Sequence, residues 1–187
     1  MEFLYKVKAK TINFFSDIRV YKGGIVLFGA SSYRIKGNHM RDIINTVQPG
    51  DVLLRRYDSY LGTFFIPGYF SHAAIYEGRD NVLHMMGDGI VSEDILTFMR
   101  CDDIRILRST DSEEEIKYAV INAMLSYNFG VEYDFNFDAD CPKKFYCTEF
   151  VDNCFGHPVR IMLGSGKKIL PDDFLKTDYF KTVWTKK

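Results

Sequence analysis

The chain has 187 residues, a formal net charge of -1, 47% hydrophobic and 26% charged residues. That length suits one globular domain with a sizeable core, and the near-neutral balance excludes a nucleic-acid binder that works by overall basicity. Aromatic residues make up 16%, so ring packing should dominate the interior. The charge is unevenly spread: residues 1–41 carry eight Lys/Arg against two Asp/Glu, residues 42–156 nine against twenty, and residues 157–187 seven against three. An acidic body with basic ends reads as a mixed solvated surface, or as one able to touch an anionic surface. The cysteines Cys101, Cys141, Cys147 and Cys154 show no CxxC pair and no zinc-finger spacing. Glu2, Lys6, Lys8 and Lys10 interrupt any signal-peptide core, and no stretch is apolar enough to span a bilayer. The expectation is a cytoplasmic protein with free cysteines.

In chain order, the spacing of Phe3, Leu4, Val7, Ile12, Phe14, Phe15 and Ile18 predicts an amphipathic helix over 3–18. It either caps the domain or lies on a membrane surface or partner. Gly23-Gly24 ends it, Ile25–Phe28 predicts a short strand, and Asn38 caps a helix carrying Met40, Ile43, Ile44 and Val47. After a turn at Gln48-Pro49-Gly50, Asp51–Arg56 opens the main sheet. An aromatic loop follows (Tyr57, Tyr60, Phe64, Phe65, Tyr69, Phe70), rich enough in rings to line a cleft or simply to fill core. Strands at Ser71–Tyr76 and Val82–Met86 flank a turn at 77–81 and form a hairpin.

Gly87-Asp88-Gly89 turns the chain again, and Ser92 is expected to cap a helix through Ile95, Leu96, Phe98 and Met99. A strand at Ile104–Arg108 precedes the capping box Ser112-Glu113-Glu114-Glu115. That box opens a helix whose inner face is Ile116, Ala119, Val120, Ala123, Met124 and Tyr127, ending near Asn128-Phe129-Gly130. After loop-like Asp138–Pro142, Phe150, Val151 and Cys154 mark a second helix, stopped by Gly156. A strand at Val159–Met162, a Gly/Lys loop at 164–168, a helical turn from Pro171 and a last strand at Phe180–Trp184 complete the order. This is an α+β pattern, an antiparallel β-sheet or barrel with packed helices. Residues 1–47 read as a helical arm on the domain formed by 48–187, together one folding unit.

Chemistry gathers at three residues. Cys147 falls in the first turn of a buried helix, where unpaired amides and the positive dipole end favour thiolate. A small buried cysteine also sits there harmlessly. His72 and His84 lie on the two strands of one hairpin, and an odd-length connection puts both on one face, roughly 5–8 Å apart at Cβ. Each alone is an ordinary half-buried histidine. Together they supply the base and orienter that a cysteine nucleophile needs. The backbone amide of Cys147 is an oxyanion donor, and Tyr133 or Tyr57 offers a hydroxyl, though both tyrosines also suit a structural role. His72, His84, Cys147 and Glu149 are residue types that suit zinc as well, but their spacing is not diagnostic of a metal site.

Gly50-Asp51-Val52-Leu53-Leu54, Ser71-His72-Ala73-Ala74-Ile75-Tyr76, Tyr133–Asp138 and Phe145-Tyr146-Cys147-Thr148-Glu149-Phe150-Val151 together resemble circularly permuted NlpC-type, papain-like cysteine hydrolases, nearest the YiiX-like group. Lecithin:retinol acyltransferase and its relatives are more distant cousins. The resemblance covers about residues 48–156, with the histidine strand ahead of the cysteine helix as in the permuted branch. It implies Cys147 as nucleophile and His72 as general base. The third polar position carries His84, as in the acyltransferase-like members, where YiiX-like chains often have glutamate. Glu149 matches a recurrent glutamate of the YiiX-like motif, and either binds a cationic substrate group or caps the helix start.

The resulting expectation is a cysteine hydrolase of amide or ester bonds that needs no cofactor and acts on a small peptide or amino-acid amide. The alternatives are a lipid-directed thiol acyltransferase or phospholipase, and a non-catalytic binding protein that keeps the fold. The partners expected are substrate and, through residues 3–18, a peripheral membrane contact.

Overall fold

The structure is a computed structural model describing residues 2–16, 19–20, 26–27, 33–58, 60, 63, 65–137 and 144–186. The first elements are helix α1 (Glu2–Ser16), strands β1 (Arg19–Val20) and β2 (Val26–Leu27), and helix α2 (Gly37–Thr46). Strands β3 (Val52–Arg56), β4 (His72–Gly78), β5 (Asn81–Met86) and β6 (Gly89–Asp94) follow, then helix α3 (Ile95–Phe98), strand β7 (Asp103–Ser109) and helix α4 (Glu113–Asn128). Short strands β8 (Glu132–Tyr133) and β9 (Lys144–Phe145) lead into α5 (Cys147–Cys154) and α6 (Pro158–Leu163). A 3₁₀ turn (Pro171–Leu175) and β10 (Phe180–Thr185) close the described chain. The expected loop at 138–142, Ile25, Phe28 and Phe64 lie outside the described residues.

The alternating apolar runs pair into one six-stranded antiparallel sheet in the order β10-β7-β3-β4-β5-β6. Period-two alternation gives the sheet two buried faces. Val52, Leu54, Ala73, Ile75, Leu83 and Met85 face α4 and α5, packing against Ala119, Ala123, Phe150 and Val151. Leu53, Ala74, Tyr76, Val82 and Ile106 face the other way, toward Ile43 of α2 and Ile95 and Phe98 of α3. The α+β class read from the sequence holds.

Local chemistry explains where the elements depart from the sequence pattern. The β4–β5 connection is a two-residue turn, not the broad one expected at 77–81. Arg79 and Asp80 both take positive φ (53° and 63°), the geometry that matches the twist of a hairpin. Residues 89–92 form strand β6, paired to β5, so Ser92 is no helix cap. Asp94 takes that role, accepting from the amides of Leu96 and Thr97. Lys36, not Asn38, precedes α2, and the ring of His39 accepts from its amide. The Ser112–Glu115 capping box forms as read. Ala119 and Ala123 of α4 are buried and Ile116 and Val120 half-buried, but Met124 and Tyr127 turn outward.

The strand expected at Val159–Met162 is a helix. Pro158 occupies its first position, where the missing amide hydrogen costs nothing. Gly156 and His157 take left-handed φ (73° and 70°) to swing the chain round between α5 and α6. His157 makes no side-chain cap, and Asp152 on α5 caps α6 instead: its Oδ1 accepts from the Val159 amide at 2.7 Å and its Oδ2 from Arg160 at 3.4 Å.

Helix α1 forms as expected, but the first part of its apolar stripe turns outward, while the side chains of Phe14, Phe15 and Ile18 lie outside the described residues. Phe3, Leu4 and Val7 are exposed, while Tyr5, Ala9 and Ile12 are half-buried. Tyr5 donates its hydroxyl to the Tyr133 carbonyl at 2.7 Å and sets its ring edge-on to Phe135. These polar and aromatic contacts attach the first turns of the helix.

Because Asp152 is fully buried and holds two amides across the α5–α6 corner, we expect Asp152→Ala to lower stability by about 2 kcal/mol or more. Asp152→Asn keeps one acceptor oxygen and should lose less. Urea unfolding midpoints at neutral pH compare the two.

Candidate active site

The hairpin register assembles the first half of the site. Ala74 stands opposite His84, so His72 is diagonal to His84 on the same face. Their rings meet edge-on, with Nε2 of His72 2.9 Å from Nδ1 of His84. Phe98 supports both rings. On the next strand, Glu93 lies two residues from Val91, the partner of His84, and therefore shares its face. Its Oε2 is 3.3 Å from His84 Nε2, an ion-pair separation whose angle falls short of an aligned hydrogen bond. On the other side, Arg55 of β3 is the cross-strand partner of His72. Its guanidinium lies 3.5 Å from Glu93 and is stacked 4.1 Å over Phe98.

This arrangement sets charge and tautomer. Burial first, and then the Arg55 charge and His84, hold His72 well below the ordinary imidazole value of 6.5. Burial and Arg55 also lower His84, against a raising contribution from Glu93. Both rings are therefore neutral at neutral pH. The Glu93 carboxylate requires the hydrogen of His84 on Nε2, which leaves Nδ1 as an acceptor. His72 must then donate from Nε2, and its Nδ1 is the bare, basic nitrogen. This tautomer is assigned from the hydrogen-bond pattern.

Cys147 is the first residue of α5 and is buried. The amide of Ala73, the residue after His72, donates to its sulfur, as do the amides of Thr148 and of Cys147 itself. The helix start thus offers the donors expected, yet the thiol titrates above its ordinary value because burial outweighs them. The sequence expectation that the helix start favours thiolate is corrected on that ground: burial holds Cys147 as a thiol.

Of the two candidate hydroxyls, Tyr133 is buried close to Cys147, and burial first of all pushes its phenol well above the usual value of 10. Tyr57 instead lies under the Arg55 guanidinium at 4.8 Å, its phenol raised to about 12 by burial. Glu149 is 2% exposed and paired with Arg160 of α6 at 2.5 Å. As third residue of α5 it also accepts the Tyr146 amide, a helix-start cap, and burial lifts its carboxyl to about 7. Among the described residues, no group of three or more His, Cys, Asp or Glu is arranged to hold a metal ion.

Arg55, Glu93 and Phe98 are the residues that sequence reading missed. Reading 89–94 as a strand would have put Glu93 on the His84 face by alternation alone. Arg55 carried no such signal, because a long loop separates it from His72 and only the β3–β4 register pairs them.

A six-stranded antiparallel sheet presenting the histidines, followed along the chain by a helix that begins with the cysteine, defines a papain-like cysteine–histidine protein in permuted order. The chain belongs to the permuted papain-like amidase family (YaeF/YiiX, C92), whose family model matches residues 46–187. Comparison with curated proteins and with solved structures found no match.

The lowered histidines have a stability consequence. As pH falls through about 6.5 the unfolded chain takes up protons on both rings more readily than the folded chain does, so stability falls with acid. We expect His84→Gln to flatten that acid loss in urea unfolding from pH 7 down to about 5. Imidazole nitrogen NMR should find both rings uncharged at pH 6.5.

Proposed function

We propose that the protein is a cysteine hydrolase that cleaves amide bonds through an acyl-enzyme on Cys147, with His72 as base and acid. The observation that carries this reading is the Ala73 amide on the Cys147 sulfur, one peptide away from a His72–His84–Glu93 chain. As the sulfur attacks the carbonyl carbon, His72 Nδ1 takes the thiol proton. The Cys147 amide and the Tyr133 hydroxyl donate to the oxyanion. When the carbon–nitrogen bond breaks, His72 returns the proton to the leaving amine. Water then attacks the thioester, losing a proton to His72, and the carboxylic acid and thiol are released. His84 and Glu93 hold the tautomer of His72 and act as positioning residues. Tyr57, by its packing on Arg55, serves the framework. Glu149 serves it too, bracing α5 against α6.

Family membership supports a peptide-type amide as substrate. One observation favours a second reading, acyl transfer or hydrolysis on a lipid ester: the outward apolar face of α1, whose Tyr5 bonds to Tyr133. A compartment that keeps thiols reduced suits either reaction, since the nucleophile must remain a thiol.

The test is capture of the acyl-enzyme from a panel of activated peptide, amino-acid and fatty-acyl probes, read by intact mass and peptide mapping. We expect one acyl group on Cys147, none in Cys147→Ala, and a rate about 100-fold lower or less in His72→Ala. Glu93→Gln should slow acylation about tenfold or more and move its acid limb to still lower pH. The direction follows because Glu93 is the group that raises His84. Equal labelling of His72→Ala, or labelling of Cys101 or Cys154 in place of Cys147, would overturn the assignment.

A further inference from the structure

We infer that α1 is a docking helix for an anionic bilayer surface, seated beside the nucleophile. Phe3, Leu4 and Val7 are 76%, 71% and 46% exposed. At about 100° per residue, these three positions form one contiguous arc of the helix. By the same geometry Lys6 and Lys10 border the arc on one side and Lys8 on the other, and all three are exposed. The opposite face, with half-buried Tyr5, Ala9 and Ile12, is the one turned to the domain. Tyr5 bonds to the Tyr133 carbonyl, its ring lies 4.7 Å from Lys144 Nζ, and Lys8 reaches Asn136 at 3.4 Å. An apolar arc with lysines along both borders is the pattern of a helix lying in a membrane interface, rings and aliphatic chains immersed and ammonium groups at the phosphates.

Charge complementarity selects the occupant. A second copy of α1 would oppose lysine to lysine, and a nucleic acid offers nothing to the apolar arc. An anionic bilayer satisfies both the arc and its borders. The acidic body, with nine Lys/Arg against twenty Asp/Glu over residues 42–156, is repelled by the same surface, so contact is confined to the basic end. No helix among the described residues is long and apolar enough to cross a membrane, which fits α1 lying in the interface without spanning. Because α1 rests on 133–136, docking brings the Tyr133 wall of the cysteine site next to the lipid headgroups.

The experiment is flotation of the full chain with vesicles of phosphatidylcholine alone and of equimolar phosphatidylcholine and phosphatidylglycerol, at low and high salt. It is run on Cys147→Ala as well, so that a failure of catalysis has no bearing on the outcome. We expect binding to the anionic vesicles only, reduced by high salt, and weakened about tenfold or more by Phe3→Ser with Leu4→Ser. Lys10→Glu should weaken it severalfold. Ile121→Ser with Leu125→Ser, which alters exposed apolar residues on α4, should leave it unchanged. Circular dichroism melts confirm that each variant folds. Equal flotation with neutral vesicles, no flotation at all, or retention by the Phe3/Leu4 double variant would overturn the proposal. So would a concentration-dependent dimer that the same double variant abolishes, since the occupant would then be a second copy.

Discussion

The site depends on one constraint, the register of β4 against its neighbours. The Arg79-Asp80 turn, together with a one-residue register shift between Tyr76 and Gly78, sets Ala74 opposite His84, and the β3–β4 pairing sets Arg55 opposite His72. Side chains alternate faces with a period of two, so a slip of one residue would send His84 to the far side of the sheet. It would part His72 from His84 and both from Arg55. Two non-glycine residues at positive φ are the local cost of holding that register.

With the register in place, a buried cation beside two imidazoles controls the electrostatics. Arg55 is almost fully enclosed, and its charge is balanced by Glu93 and spread over the faces of Phe98 and Tyr57. Burial first, and then this charge, penalise a positive charge on either ring, so the histidines stay neutral. Burial likewise keeps the thiol protonated. A neutral pair avoids enclosing an isolated thiolate–imidazolium ion pair in an apolar core, where the desolvation of two ions is hard to offset. In the proposed mechanism the proton moves only when the substrate supplies an electrophile.

The cysteine helix is held from three directions, which keeps the sulfur at the start of β4. Thr148 bonds the Ile169 carbonyl, and Tyr146 accepts the Ile169 amide, tying the helix start to the loop before the 3₁₀ turn. Glu149 pairs with Arg160 and Asp152 caps α6, tying its middle to the next helix. Phe150 and Val151 pack on the sheet. The conspicuous acidic residues after Cys147 are thereby explained as internal braces.

The sequence by itself determined the α+β class, the strand hairpin bearing His72 and His84, the capped helix at Ser112–Glu115, and Cys147 at a helix start. Each follows from short-range rules, alternation, capping and glycine stops, that act within a few residues. The family resemblance, carried by local motifs, was legible for the same reason. What only the tertiary structure decided lies across chain separations that local rules do not reach. Arg55 and Glu93 join the histidines through strand register. The protonation of Cys147 is decided by how deeply the helix start is buried, against amides that by themselves favour thiolate. Phe3, Leu4 and Val7 of α1 face outward while Tyr5 reaches the Tyr133 carbonyl, more than a hundred residues away, and a hydrogen-bond partner at that distance is invisible to periodicity.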